Sequence, residues 1–184
     1  MSDRPARTYR TAGRAYLVVD TQACIADRRA FARSRCRADG APALDGVLFC
    51  ALEERYDPPR VVLTAYGPDG TTEAVPANGA LCAARWAMDR AGTDAVMLDT
   101  LAGTRRAESH GREVSVEVGD RVALPTHATG LAVSLPESRP PVVRGPVSDG
   151  RDDSPWTADS SCDDGGGGEP DDWTTDGAAQ TTDR

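Results

Sequence analysis

Few side chains here have proton-transfer or nucleophilic chemistry. Five cysteines (Cys24, Cys36, Cys50, Cys82, Cys162) and two histidines (His110, His127) are scattered through 184 residues. No CxxC pair occurs, and neither histidine lies near a cysteine pair, so the spacing argues against a metal site. All 21 basic residues are arginine. A chain without lysine forms no lysine Schiff base and offers no P-loop lysine. The segment from Asn78 opens an alanine-rich stretch, and Asn78 is a good N-cap residue. Free N–H groups at such a helix start, at Ala77, Asn78 and Gly79, can bind an anion. Cys82 falls one turn further on, where it is either a thiol acting as acid or base or a small buried apolar residue.

These residues need elements to hold them. Arg7–Arg10 and Ala15–Asp20 read as two strands joined by a tight turn at Gly13. The stretch 23–37 reads as a helix with a narrow apolar stripe. The segments 45–51 and 60–66 are the next strands, with a turn over Tyr56–Pro59 between them and a second turn at Gly67-Pro68-Asp69-Gly70. Asp45 and Asp69, each near a turn glycine, read as backbone-capping residues. The strongest helix covers 78–91. It places Leu81, Ala84, Met88 and Ala91 on one face and Gly92 at its C-terminal cap. Three short strands follow, at 95–99, 104–109 and 113–118. A hairpin turn at His110-Gly111 joins the last two, and Val114, Val116 and Val118 alternate toward one face.

The charge is unevenly placed. The net charge is -8, and residues 141–184 alone carry eleven acidic and three basic side chains, which leaves residues 1–140 neutral. A neutral body lacks the basic stripe of a nucleic-acid binder. No apolar run is long enough to span a membrane, and no charged-then-apolar leader opens the chain. The expectation is a reduced, soluble, cytoplasmic protein. Residues 137–184 are rich in Pro, Gly and Asp and are expected to be a disordered acidic tail after a folded unit over 7–136. Removing everything from about residue 140 is expected to leave the melting temperature unchanged. Trp156 and Trp173 are the tail's aromatic exceptions, either incidental or a docking motif.

Six segments, in order, resemble the N-terminal half of the diaminopimelate epimerase family, over about residues 7–125. Tyr16-Leu17-Val18-Val19-Asp20 is similar to the family's first long strand. Cys36, followed by Asp45-Gly46-Val47-Leu48, is similar to its "CDR…GADGLL" segment. Tyr66-Gly67-Pro68-Asp69-Gly70-Thr71 resembles its "FNADGS" turn. Asn78-Gly79-Ala80-Leu81-Cys82-Ala83-Ala84-Arg85 resembles the second part of "CGNGxRCxAR". Thr100-Leu101-Ala102-Gly103 and Val116-Glu117-Val118-Gly119 are similar to the later "TxAG" and "VxMG" strands. The resemblance implies an α+β fold: a single lobe in which a curled mixed or antiparallel sheet wraps a central helix. It also implies cofactor-independent proton transfer between two opposed thiols, one by a helix N-terminus in each of two lobes.

The departures fall on the chemistry. The family's first catalytic cysteine corresponds to Pro76, and the glycine after it to Ala77. Its substrate-contacting asparagines correspond to Arg14 and Gly67. The second lobe has no counterpart in these 184 residues. The expectation is therefore a catalytically degenerate, epimerase-like protein in which Cys82 is the remaining candidate for a catalytic group. Its ligand site would comprise Ala77, Asn78, Gly79 and Arg14, and it would bind a small amino-acid-like ligand or a partner protein. The alternative is a cofactor-independent epimerase or isomerase acting as a homodimer or with a second subunit. Neither reading involves a cofactor, metal, nucleic acid or membrane.

Overall fold

The structure, a computed structural model, describes residues 5–37, 43–117, 132–134 (backbone only) and 141–150. The chain starts with a hairpin of β1 (Ala6–Thr11) and β2 (Arg14–Asp20). Its two-residue turn has positive φ at both Ala12 (47°) and Gly13 (75°). Left-handed backbone at both positions matches the right-handed strand twist and makes so short a connection possible. Helix α1 (Arg28–Cys36) follows. It begins five residues later than the sequence pattern suggests. Asp20 and its neighbours fold into a turn first: its backbone carbonyl accepts from Ala23 N–H and its side chain from Gln22 N–H. Asp27 then caps the helix by accepting from Ala30 N–H at 2.9 Å.

Strands β3 (Gly46–Glu53) and β4 (Arg60–Tyr66) form the next antiparallel pair. A two-residue strand β5 (Thr72–Glu73), not anticipated from sequence, folds back on the end of β4. Helix α2 (Ala77–Ala91) comes next, and β6 (Ala95–Thr100), β7 (Gly103–His110) and β8 (Glu113–Glu117) form a meander. Beyond these lie β9 (Ala132–Ser134), β10 (Val142–Pro146) and β11 (Ser148–Gly150).

The strand order is β11-β1-β2-β3-β4-β6-β7-β8-β10-β9, and among the described residues the parallel pairs are β2–β3 and β4–β6. β10 and β11 are separated by Val147 alone. β10 pairs with β8 and β11 pairs with β1. One run of chain thus joins the two ends of the sheet and closes it around α2. That helix packs against β1, β2, β3, β4, β6, β7, β8 and β10. Leu81, Ala84 and Met88 are buried as the periodicity indicates, but so are Cys82, Ala83, Trp86 and Ala87. A helix buried all round shows no clean amphipathic stripe, and its alanines hide the other faces from a hydropathy pattern. Gly92 takes the left-handed conformation (φ 65°) and donates its N–H to Met88 O, ending α2 as expected. Outside the sheet, α1 covers β2 and β3 with Ala32 over Leu17, Val19, Val47 and Phe49.

The single curled lobe around a central helix is therefore present. The boundary of its tail is different. Residues 141–150, assigned to a disordered segment from their composition, are strands of the sheet. Val143 is fully buried and Val147 nearly so, both in the core around α2. Pro-rich sequence reads as punctuation, but an edge segment needs only alternate residues to face the core. The expectation of disorder for 151–184, with Trp156 and Trp173, lies outside the described residues. A chain ending at residue 140 is expected to lose about 3 kcal/mol or more relative to one ending at Gly150, from the two valines and the ladder they carry. Chemical denaturation of the two forms measures the difference.

Candidate functional site

The start of α2 defines the site. Pro76 is the N-cap (φ -70°, ψ 153°), and no side chain caps the helix. The expected cap, Asn78, is instead inside the first turn. Proline takes the capping place because its fixed φ suits the entry to the helix and its missing N–H would be unpaired there anyway. The first helical bond runs from Ala80 N–H to Pro76 O, at 2.9 Å. The N–H groups of Ala77, Asn78 and Gly79 have no acceptor among the described residues. Asn78 is only 3% exposed, and its Oδ1 has no hydrogen-bond partner. Thr11, at the end of β1 and also buried, has an unpartnered hydroxyl. Unpaired buried oxygens cost free energy and mark sites completed by something else. Gly79 is packed tightly. A Cβ there would lie 3.3 Å from Pro76 Cγ and 3.5 Å from Leu48 Cδ2.

The candidate side chains separate. Arg14 is committed to Asp45, whose Oδ1 takes its guanidinium while Oδ2 accepts from Ala15 N–H at 2.8 Å. The Asp45 hydrogen bond raises the Arg14 pKa still further, and the two charges cancel. Asp69 behaves as the turn residue expected, accepting at Oδ1 from Thr71 Oγ1 and Thr71 N–H. Those bonds, the hydroxyl first, hold its carboxyl below the usual range.

Cys82 is fully buried. Burial first, then the charge of Asp45, pushes its thiol pKa up. A general base needs the opposite shift. Its structural reading is the one this environment supports. Cys50 is equally buried and shifted the same way by burial, and Cys36 is half-buried and also raised by burial. Cys24 is disulfide-bonded, so the expectation of a wholly reduced chain fails at this residue. His110 is exposed in its hairpin, 3.4 Å from Ser115 Oγ. His127 is outside the described residues. Among the described residues no three His, Cys, Asp or Glu side chains gather as a metal site would require. No helix among them is long and apolar enough to cross a membrane.

One group went unnoticed in the sequence. Glu73, exposed on β5, pairs with Ala65, whose own side chain is in the core around α2. Its carboxylate has no hydrogen bond or ion pair among the described residues. Burial, with Asp69 beside it, raises its pKa. Its only sequence signal was position, three residues ahead of Pro76 in a segment too short to read as a strand. At the other end of α2, Asp20 and Arg90 pair at 3.1 Å beside a cavity of about 450 Å³ that also touches Gln22, Leu52 and Glu54.

The fold has a counterpart among solved structures. A putative phenazine biosynthesis PhzC/PhzF protein from Clostridium difficile matches at a TM-score of 0.51 and 10% identity, over 71% of this chain and 47% of that one. A hydroxyproline epimerase from Agrobacterium vitis, solved with trans-4-hydroxy-L-proline, gives a TM-score of 0.47 at 16% identity over 75% and 46% of the two chains. The sequence is similar to a diaminopimelate epimerase from Methanopyrus kandleri, 33% identical over 92 residues, which are 50% of this chain and 32% of that protein. The chain thus spans about a third of this curated relative and about half of these solved structures. No protein-family model matches. The resemblance to diaminopimelate epimerase read from the six segments stands, and the protein is epimerase-like in fold.

The buried thiols give a direct check. In the native protein at pH 8, iodoacetamide is expected to leave Cys50 and Cys82 unmodified, and both should react once guanidinium unfolds the chain. Peptide mapping reads each site. Native labelling of Cys82 would show an accessible thiol and reopen its role as a base.

Proposed function

We propose that this chain is an epimerase-like binding module. It holds the carboxylate of a small amino-acid-like ligand at the N-terminus of α2 and does not itself invert a stereocentre. One observation carries the reading. Pro76 is the N-cap where the family resemblance places a thiol, while the three N–H groups after it remain unpaired beside the buried, unpartnered Asn78. Anion binding there needs only backbone N–H groups and the helix dipole, and both survive the loss of a side-chain thiol. Inversion needs more: one group removes a proton and another delivers one on the opposite face. Proline does neither, and Cys82 is held as a neutral thiol.

The test combines binding with exchange. Diaminopimelate, the substrate named for the M. kandleri relative, is expected to raise the melting temperature. In heavy water it should incorporate no α-deuterium above the buffer background. Exchange abolished by Cys82→Ala would show that the thiol role moved one turn into the helix, and would reverse the proposal.

The family resemblance places its groove between two lobes, so the open end of the barrel at α2 is proposed to meet a second body. Another copy of this chain is the simplest choice. A homodimer would still place Pro76 against Pro76, so pairing alone supplies no base. Sedimentation is expected to show self-association, and a monomer at all concentrations, with no co-purifying protein, would remove this part of the reading.

A further inference from the structure

We propose that Cys162 is the disulfide partner of Cys24, and that this bond lays the acidic segment 151–164 over the arginine-bearing face of α1. The inference is independent of what the start of α2 binds.

The pairing follows from the cysteines and from strand register. The chain has five cysteines. Cys24 is disulfide-bonded, and Cys36, Cys50 and Cys82 are free thiols, which leaves Cys162. That residue lies outside those described, but the direction in which the chain departs toward it is set. β11 runs antiparallel to β1, with Arg10 opposite Ser148, Tyr9 opposite Asp149 and Thr8 opposite Gly150. The chain therefore leaves the ladder heading toward Arg7, Ala6 and Pro5. Pro5 O accepts from Asp20 N–H at 2.8 Å, and Cys24 is four residues after Asp20. The segment after Gly150 and the segment carrying Cys24 thus start from the same end of the β1–β2 hairpin. Cys24 is exposed there. Cys162 is twelve residues beyond Gly150, a length that reaches up to about 40 Å when extended.

Charge supplies the docking face. Helix α1 carries Arg28, Arg29, Arg33 and Arg35 and no acidic residue, and Arg37 follows at its C-cap. Arg29 and Arg33 are exposed. The neighbouring turn holds their stems, since a Cβ on Gly70 would lie 2.9 Å from the Cγ of each. Arg33 acts only weakly on Asp69, whose carboxylate is committed to Thr71. Neither Arg28 nor Arg29 has a carboxylate partner among the described residues. Segment 151–164 brings Asp152, Asp153, Asp159, Asp163 and Asp164 against one base, Arg151. Two of these acids directly follow Cys162. Joining it to Cys24, four residues ahead of Arg28, sets that negative charge beside the helix.

The consequence is mechanical. β11 holds β1 by three residue pairs, in the run of chain that closes the sheet around α2. A covalent tie beyond so short a strand keeps it from fraying and restricts the unfolded chain. The bond forms by exchange. The two thiols give up two protons and two electrons, and a small disulfide such as oxidised glutathione takes them up and leaves as two thiols.

The experiment oxidises the full chain with oxidised glutathione, digests it without reduction and maps the peptides by mass spectrometry. A linked Cys24–Cys162 peptide is expected, with Cys36, Cys50 and Cys82 as free thiols. Cys24 joined to another cysteine, joined to a second copy of the chain, or left as a thiol overturns the pairing and the docking with it. The reduced protein and Cys162→Ser are expected to melt roughly 5 °C or more below the oxidised protein. Equal melting overturns the mechanical role. The arginine face is read from the glutathione ratio at which the bond is half formed. In a variant carrying Arg29→Gln and Arg33→Gln, with its fold checked by circular dichroism, the equilibrium constant for the bond should fall about threefold or more at low salt. The difference should vanish in concentrated sodium chloride. An unchanged constant at low salt overturns the docking on α1 and leaves the disulfide standing.

Discussion

Almost every part of this protein answers to the burial of α2. Its first eight residues and Trp86, Ala87 and Met88 are all buried, so no side of its main stretch is available to solvent. A helix in that position cannot be served by a flat sheet. It needs strands on all sides, and backbone groups at the sheet edges need partners as well. Both demands are met by closure: β10 completes the ladder beside β8, and β11 completes it beside β1. The small residues of α2, chiefly alanines, let eight strands approach one helix. Polar contacts fix its position along the axis. Asp20 holds Arg90 at one end, and Arg85 donates to Gly111 O in the β7–β8 hairpin at 2.7 Å.

That burial also fixes the start of the helix whatever residue stands at position 76. Unpaired N–H groups are a property of any helix N-terminus, whatever residue precedes it. The fold fixes where α2 begins, so it fixes the donors. The identity of residue 76 is free to change. Proline even suits the entry, because it adds no N–H group and its ring packs against Gly79. Proton transfer, by contrast, belongs to a side chain and disappears with it. Anion recognition by backbone donors and acid–base chemistry by side chains are thus physically separable.

The rim charges form a second layer of the same logic. Asp45 is spent on Arg14 and the Ala15 N–H, Asp69 on Thr71, and Cys82 is neutral in the core. Among the described residues, the Glu73 carboxylate, the Asn78 oxygen and the N–H groups of Ala77, Asn78 and Gly79 have no partner. Glu73 is an exposed residue of a two-residue strand, and partial burial, with Asp69 beside it, raises its pKa.

The sequence by itself determined the local pieces. Strand segments such as Tyr16–Asp20 and Arg60–Tyr66, the Gly13 and Gly67–Gly70 turns, and the glycine that ends α2 are dictated by short-range sterics and side-chain alternation, which a linear reading captures. The ordered family segments then gave the curled lobe. Only the tertiary structure decided the rest. That Asn78 lies inside the helix rather than capping it depends on Pro76 taking the entry. That Arg14 is paired depends on Asp45, 31 residues away in sequence. That Val143 and Val147 are core, in a segment whose composition reads as tail, depends on both edges of a distant sheet arriving beside them. Glu73 became visible only through its register with Ala65. The Arg14–Asp45 pair and the ladders of β10 and β11 are long-range, and composition and periodicity contain no information about which distant residue will stand opposite.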